Sequence, residues 1–173
     1  APGQIITLDL RCIVDGSTLP DTDRDILKVV VTDRYRDGGS GVGLVQGLGL
    51  QEGAIAGSVS HDSHNIVAIG ADDAEIIRAI EEVKRLSGGL VVTSGEEVTA
   101  LPLESAGLMS TLPHEEVVER LAALSGHARR LGAIEDPFMY LSFLALTVIP
   151  ELRVTERGIF DVQTFADVPL FCR

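Results

Sequence analysis

The chain has 173 residues, 45% of them hydrophobic and 23% charged, and a formal net charge of −12. That length suffices for one folded domain with its own core, and acid spread along the whole sequence repels phosphate backbones, which argues against nucleic acid as a partner. No apolar run reaches the roughly 18 residues of a membrane helix; the longest, 138–149, is interrupted by Tyr140, Ser142 and Thr147, so no membrane partner is expected.

The opening segment APGQIITLDL has no basic stretch leading into an apolar one, which speaks against a secretory signal. Cys12 and Cys172 stand near opposite ends, neither in a CxxC pair. Two isolated cysteines make neither a disulfide framework nor a zinc site, and a reduced, cytoplasmic setting is the simplest expectation. Residues 26–34, ILKVVVTDR, are rich in β-branched side chains and predict a buried strand. RDGGSG is a turn, and 42–49, VGLVQGLG, a second strand whose glycines mark a bulge or a close backbone approach. After a turn at Gln51–Gly53, the segments Ala54–Ser60 and Asn65–Gly70 predict two more strands separated by HDSH.

A helix follows. Asp72 is a suitable N-cap, Glu75 completes a capping-box pattern, and Ile76, Ile77, Ile80 and Val83 share a face until Gly88-Gly89 stops the helix. Residues 90–93 and 97–101 alternate around Ser94-Gly95-Glu96 as a hairpin. A second helix spans 114–131, opened by Pro113, with Val117, Val118, Leu121, Leu124, Ala128 and Leu131 as its apolar stripe. His114 and His127 are expected on its solvated surface, and Met109 and Met139 in the core. PFMYLSFLAL is apolar all round, and Pro137 tips it towards a helix. ELRVT predicts a short strand, and GIFDVQTFADVPLF an irregular but apolar tail. Strands in hairpin-like succession without strict βαβ alternation predict an α+β fold, a mostly antiparallel β-sheet flanked by helices, with residues 1–173 as a single domain.

The densest polar cluster is His61-Asp62-Ser63-His64-Asn65, between two apolar strands. A carboxylate beside histidine orients the ring and raises its basicity. As a metal site the cluster is short of ligands, and neighbours at i and i+3 diverge on a strand. As a nucleophilic site it has Ser60 and Ser63 beside histidines but no G-x-S-x-G elbow. The alternative is a polar turn whose side chains bond the backbone. The glycine run Gly38-Gly39-Ser40-Gly41-Val42-Gly43 lacks both G-x-G-x-x-G and a following helix, and fits a hairpin turn. No complete catalytic set and no metal site are expected in the chain.

Several long motifs carry a resemblance. GLVQGLGLQEGAIAGSVSHDSHNIVAIGADD, then LPLESAGLMS, then PFMYLSFLALTVIPELRVTERGIFDV and the closing PLF resemble, in order, the C-terminal region of the adenine deaminase family of the amidohydrolase superfamily. The resemblance implies a parent enzyme that hydrolyses adenine to hypoxanthine and ammonia. Its water would be activated by a divalent metal of the Mn, Fe or Zn type held in a (β/α)₈ barrel. Such a barrel takes about 250 residues and has no place in this chain. The chain alone is therefore expected to be inactive, to pack on the barrel as its partner, and to shape the active site through His61, Asp62, Ser63, His64 and Asn65. Tyr35 stands where many members are expected to carry a histidine after the arginine. Two other roles fit the same residues: an oligomerisation or interaction module forming a homo-oligomer, and a stand-alone purine-binding domain.

Overall fold

A computed structural model describes residues 6–10, 19–36 and 38–171. Cys12 and Cys172 lie outside the described residues, as does Asp37 of the first turn. Six strands build one antiparallel sheet: β1 (Ile26–Thr32), β2 (Ser40–Gln46), β3 (Ala54–Gly57), β4 (Ile66–Gly70), β5 (Gly89–Ser94) and β6 (Glu97–Pro102). Their order is β2-β1-β4-β3-β5-β6. Three shorter strands, β7 (Leu152–Thr155), β8 (Gly158–Asp161) and β9 (Ala166–Val168), form a second antiparallel sheet. Among the described residues, three α-helices, α1 (Asp73–Arg85), α2 (His114–Arg130) and α3 (Pro137–Phe143), and a 3-10 turn at Thr22–Arg24 complete the architecture. The fold is α+β, as the sequence implies.

Side chains alternate across a strand, and here the alternation separates two cores. Leu27, Val29, Val31, Ile55, Val67, Ile69 and Val92 face Leu124 and Ala128 of α2, Leu141 of α3 and Val154 of β7. Their neighbours Ala54, Ala56, Ile66, Ala68 and Val91 face Ile76, Ala79, Ile80 and Val83 of α1. Three alanines make that second face shallow, so one helix covers it. Asp72 caps α1 by accepting from the Glu75 N–H at 2.9 Å, but the capping box is only half made. The Glu75 carboxylate instead accepts from Arg78 at 3.2 Å and from the Gly95 N–H at 3.1 Å, tying the helix to the β5–β6 turn.

The small sheet lies flat against edge strand β2, and the glycines of β2 permit it. A methyl carbon on Gly41 would sit 1.9 Å from the Thr155 carbonyl oxygen, and one on Gly43 2.7 Å from Val154 Cγ2. The close approach expected of these glycines is real. Strand β2 ends at Gln46 rather than at residue 49, because the Asp25 carboxylate takes the N–H groups of Gly47 and Gly49 at 2.7 and 2.8 Å. The third strand likewise stops at Gly57.

The tail expected to be irregular contains β8 and β9. Arg157 holds that hairpin by bonding both oxygens of Asp167 at 3.0 and 3.1 Å. On α2 the buried face is Leu124, His127 and Ala128, while Val118 and Leu121 are exposed. Helix α2 packs on β5 and β6 at the sheet margin, so its apolar stripe is narrower than the sequence suggests and includes a histidine. Met109 and Met139 are also exposed, at 63% and 46%, and not core filler. Arg153 is 1% exposed. Its guanidinium donates to the carbonyls of Ile149, Pro150 and Phe143 at 2.6, 3.1 and 3.2 Å, closing the chain between α3 and β7.

Candidate functional site

The register of the large sheet gathers the polar motifs at one end. Thr32 pairs with Ser40 and Ile66, Gly57 with Val67 and Leu90, and Gly89 with Pro102. The HDSHN turn, the Asp33–Arg36 turn, the Gly88 turn and the 103–112 loop therefore all leave the sheet at this end.

Three anchors hold it together. Ser58, fully buried, donates its hydroxyl to the Gly107 carbonyl at 2.6 Å and accepts the Gly89 N–H at 2.9 Å. Arg34 donates to the Ala106 carbonyl at 2.7 Å. Its guanidinium fills the space a side chain on Gly107 would need, since a methyl carbon there would stand 2.1 Å from Nη1. The turn itself is pinned by the His61 N–H to the Ser142 carbonyl at 2.9 Å and by the His64 N–H to the Ser60 carbonyl at 2.8 Å.

The five residues singled out in the sequence do not form one constellation. The His61 ring stacks on Phe143, centroids 4.6 Å apart. Asp62 and Ser63 are exposed, and the Ser63 hydroxyl accepts the Asn65 N–H at 3.3 Å. His64 has a left-handed backbone, φ 53°. Asn65 is buried and donates its side-chain amide to Glu156 at 3.2 Å, linking this turn to the β7–β8 hairpin. Among the described residues, neither the Ser60 nor the Ser63 hydroxyl bonds a histidine ring. The Ser60 hydroxyl, His64 Nδ1 and Arg34 Nη1 are buried without any hydrogen-bond partner. Buried polar atoms are normally satisfied, so three such atoms at one sheet end call for an explanation.

Among the described residues, no group of three or more His, Cys, Asp or Glu is placed to hold a metal ion. Among them, too, no helix is long and apolar enough to cross a membrane. Glu156, Arg34 and Phe143 belong to this end and were not singled out in the sequence. Glu156 and Phe143 both lie within the run PFMYLSFLALTVIPELRVTERGIFDV that carries the family resemblance.

A cavity of about 330 Å³ opens beside the turn, lined by Asp62, Ser63, Glu156, Phe160 and Phe165 among others. A larger groove of about 780 Å³ lies between β1–β2 and the small sheet, with Val29, Leu44 and Leu152 in its walls. Asp25 and Arg153, which also line it, are already spent on backbone groups.

A family model described as the adenine deaminase C-terminal domain matches residues 5–166. The chain belongs to this family. An adenine deaminase of Methanoculleus marisnigri is 75% identical over 98% of the chain, and 33% of that protein is covered. One of Methanoregula boonei is 55% identical over 98% of the chain and is covered for 30% of its length. One of Methanothrix thermoacetophila is 48% identical over 99% of the chain, with 31% covered. The chain thus spans about a third of the length of the adenine deaminases it matches, and it is similar to their C-terminal domain.

Proposed function

We propose that the chain, as one domain spanning 1–173, serves a cytoplasmic adenine deaminase by covering a metal-bearing barrel with the polar end of its large sheet. The observation that carries this is the trio of buried, unpartnered polar atoms beside the HDSHN turn. A facing protein surface or an ordered water at a domain junction would satisfy them. In this role His61, held flat by Phe143, and His64 line the mouth of the active site. Asn65 and Glu156 fix the turn, and Asp62 and Ser63 face the opening. The metal, when bound in the barrel, supplies the activated water that attacks adenine. The residues of this chain position and enclose, and the chain alone does not deaminate.

The test has two arms. The purified chain, with and without Mn²⁺, is assayed for hypoxanthine formed from adenine. The chain is then exchanged for the matching third of the Methanoculleus marisnigri enzyme and the chimera assayed. The free chain should be inactive and the chimera active. His64→Ala in the chimera should lower kcat by roughly 10- to 100-fold, the effect of removing groups that orient a metal site, with little change in Tm. Metal-dependent turnover by the free chain would sink the first claim. A chimera in which His61→Ala and His64→Ala only melt earlier would sink the second.

A further inference from the structure

Charge is left unbalanced beside the β8–β9 turn. Asp62 is exposed and has no hydrogen bond or ion pair among the described residues. Glu156 accepts from the Asn65 amide through one oxygen at 3.2 Å, and its other oxygen lies 3.6 Å from Arg157 Nη1. Arg157 is already matched by Asp167, to which it donates from Nε and Nη2 at 3.0 and 3.1 Å. Asp62 and Glu156 both line the 330 Å³ cavity, so its wall carries negative charge that Arg157 does not balance.

The same wall is aromatic. Phe165 and Phe160 stand edge to face, centroids 5.2 Å apart at 83°, and both line the cavity. Phe160 is buried, but Phe165 is 75% exposed. Phe165 also holds a left-handed backbone, φ 54°, which bulky side chains adopt only at a cost. Strain kept at an exposed position points to a role outside folding. Val148, 70% exposed, extends the apolar rim.

An aromatic face beside uncompensated carboxylates is a site for an organic cation. A guanidinium suits it better than an ammonium, because its plane stacks on a ring while its edge donates to a carboxylate. The cavity is at the lower end of small-molecule sites, about 300–1,000 Å³, and its exposed apolar rim fits a side chain presented on a facing surface. We infer that this cavity receives an arginine side chain from the part of the parent enzyme that precedes this domain, stacked on Phe165 and paired with Asp62. The chain covers only 33% and 30% of two of its relatives, which leaves a large partner to supply that arginine. A net charge of −12 draws a basic surface towards the chain. The inference rests on the proposed covering of the barrel for the identity of the occupant.

Saturation-transfer NMR of the 173-residue chain with N-acetyl-arginine amide, and with its lysine and citrulline counterparts, decides it. The arginine probe should bind with a Kd on the order of millimolar, the lysine probe about threefold more weakly, and the uncharged citrulline probe about tenfold more weakly. Asp62→Asn and Phe165→Gly should each weaken the arginine probe about threefold, as loss of an exposed ion pair or of a cation–aromatic contact does. Neither should lower the Tm of the free chain, because Asp62 has no partner to lose and glycine adopts the Phe165 backbone without strain. In the chimera with the Methanoculleus marisnigri enzyme the cavity is filled from within, so the arginine probe should bind no better than the citrulline one. No binding of the arginine probe to the free chain, equal binding of the lysine or citrulline probe, or parent-like affinity in both variants would overturn the inference. So would a chimera that takes up the arginine probe as the free chain does, since the cavity would then serve a free guanidinium compound. A chimera that fails to assemble leaves the free-chain measurements to decide, and an early-melting Phe165→Gly leaves Asp62→Asn to decide. Turnover by the chimera and its dependence on His64 are read separately, so failure of the barrel reading and failure of this one are distinguishable.

Discussion

Gly41 is the position where one methyl group should do the most damage. On edge strand β2 it touches backbone only: an added methyl carbon would meet the Thr155 carbonyl oxygen at 1.9 Å, the Gly158 nitrogen at 2.4 Å and the Glu156 carbonyl carbon at 2.9 Å. Ordinary contact needs about 3.5 Å, so Gly41→Ala must push the whole β7–β8 hairpin outward by roughly 1.5 Å. Gly43→Ala meets side chains instead, Val154 Cγ2 at 2.7 Å and Ile159 Cδ1 at 2.8 Å, which can rotate away. Overpacking costs about 1–3 kcal/mol, against roughly 0.5–1 kcal/mol regained because alanine suits a strand better than glycine. The expected net loss is about 2 kcal/mol for Gly41→Ala and well under about 1 kcal/mol for Gly43→Ala. In a chain of this size that is a Tm drop of roughly 4–8 °C for the first. Thermal and urea unfolding followed by circular dichroism would measure both, with an unchanged urea m-value showing that stability alone has moved. The hairpin carries Glu156, so Gly41→Ala should also detach it from Asn65. If Gly41→Ala unfolds like the parent chain, or Gly43→Ala is the worse of the two, the flat seating of the small sheet on β2 is wrong.

His127 and Arg153 give two further tests. His127 is 1% exposed, with Nδ1 2.9 Å from the Thr99 hydroxyl, and burial holds its pKa below the ordinary 6.5 despite Glu97, with Arg130 pushing the same way as burial. The unfolded chain thus takes the proton first, so the stability due to neutral His127 is complete above pH 6.5 and is lost as pH falls from there towards the depressed value. Subtracting the stability–pH curve of His127→Gln from that of the parent should leave this slope, and a flat difference between pH 7 and 5 would refute it. Burial lowers the Arg153 pKa to about 10, so it stays charged at neutral pH. Arg153→Met should cost about 2–4 kcal/mol in urea unfolding by leaving carbonyls without their charged donor, and Arg153→Lys, without the planar fork, should recover little of it.

Most of the large sheet is legible in the sequence because its faces obey a period of two. Val29 and Val31 point one way and Val30 the other, and the same switch recurs at Ile55 against Ala54 and Ala56. What escapes is decided by packing between distant segments. Leu121 carries the helical apolar period yet is 39% exposed, whereas His127 is buried because Thr99 of β6 offers it a partner. The small sheet is similarly hidden. Its strands have three or four residues, too few for a period to register, and what stabilises them is the bare backbone of Gly41 and Gly43 on another strand.

The site divides along the same line. A run such as HDSHN is visible because five polar residues interrupt two apolar strands, and turn geometry follows from that contrast. Its partners are invisible because each comes from elsewhere in the chain: Phe143 under His61, Glu156 on Asn65, and Arg34 on the 103–112 loop. A local motif therefore locates the polar end of the sheet without revealing which of its side chains are free. The structure separates them. Asn65 is consumed in joining two segments, while the Ser60 hydroxyl and His64 Nδ1 remain buried and unpartnered, and Asp62 stays exposed beside Phe165. Atoms already bonded can only hold the turn in place. It is the unbonded ones that can still meet a further partner, so substitutions at His64 and Asp62 should affect function with little change in stability, and substitution at Asn65 should affect both.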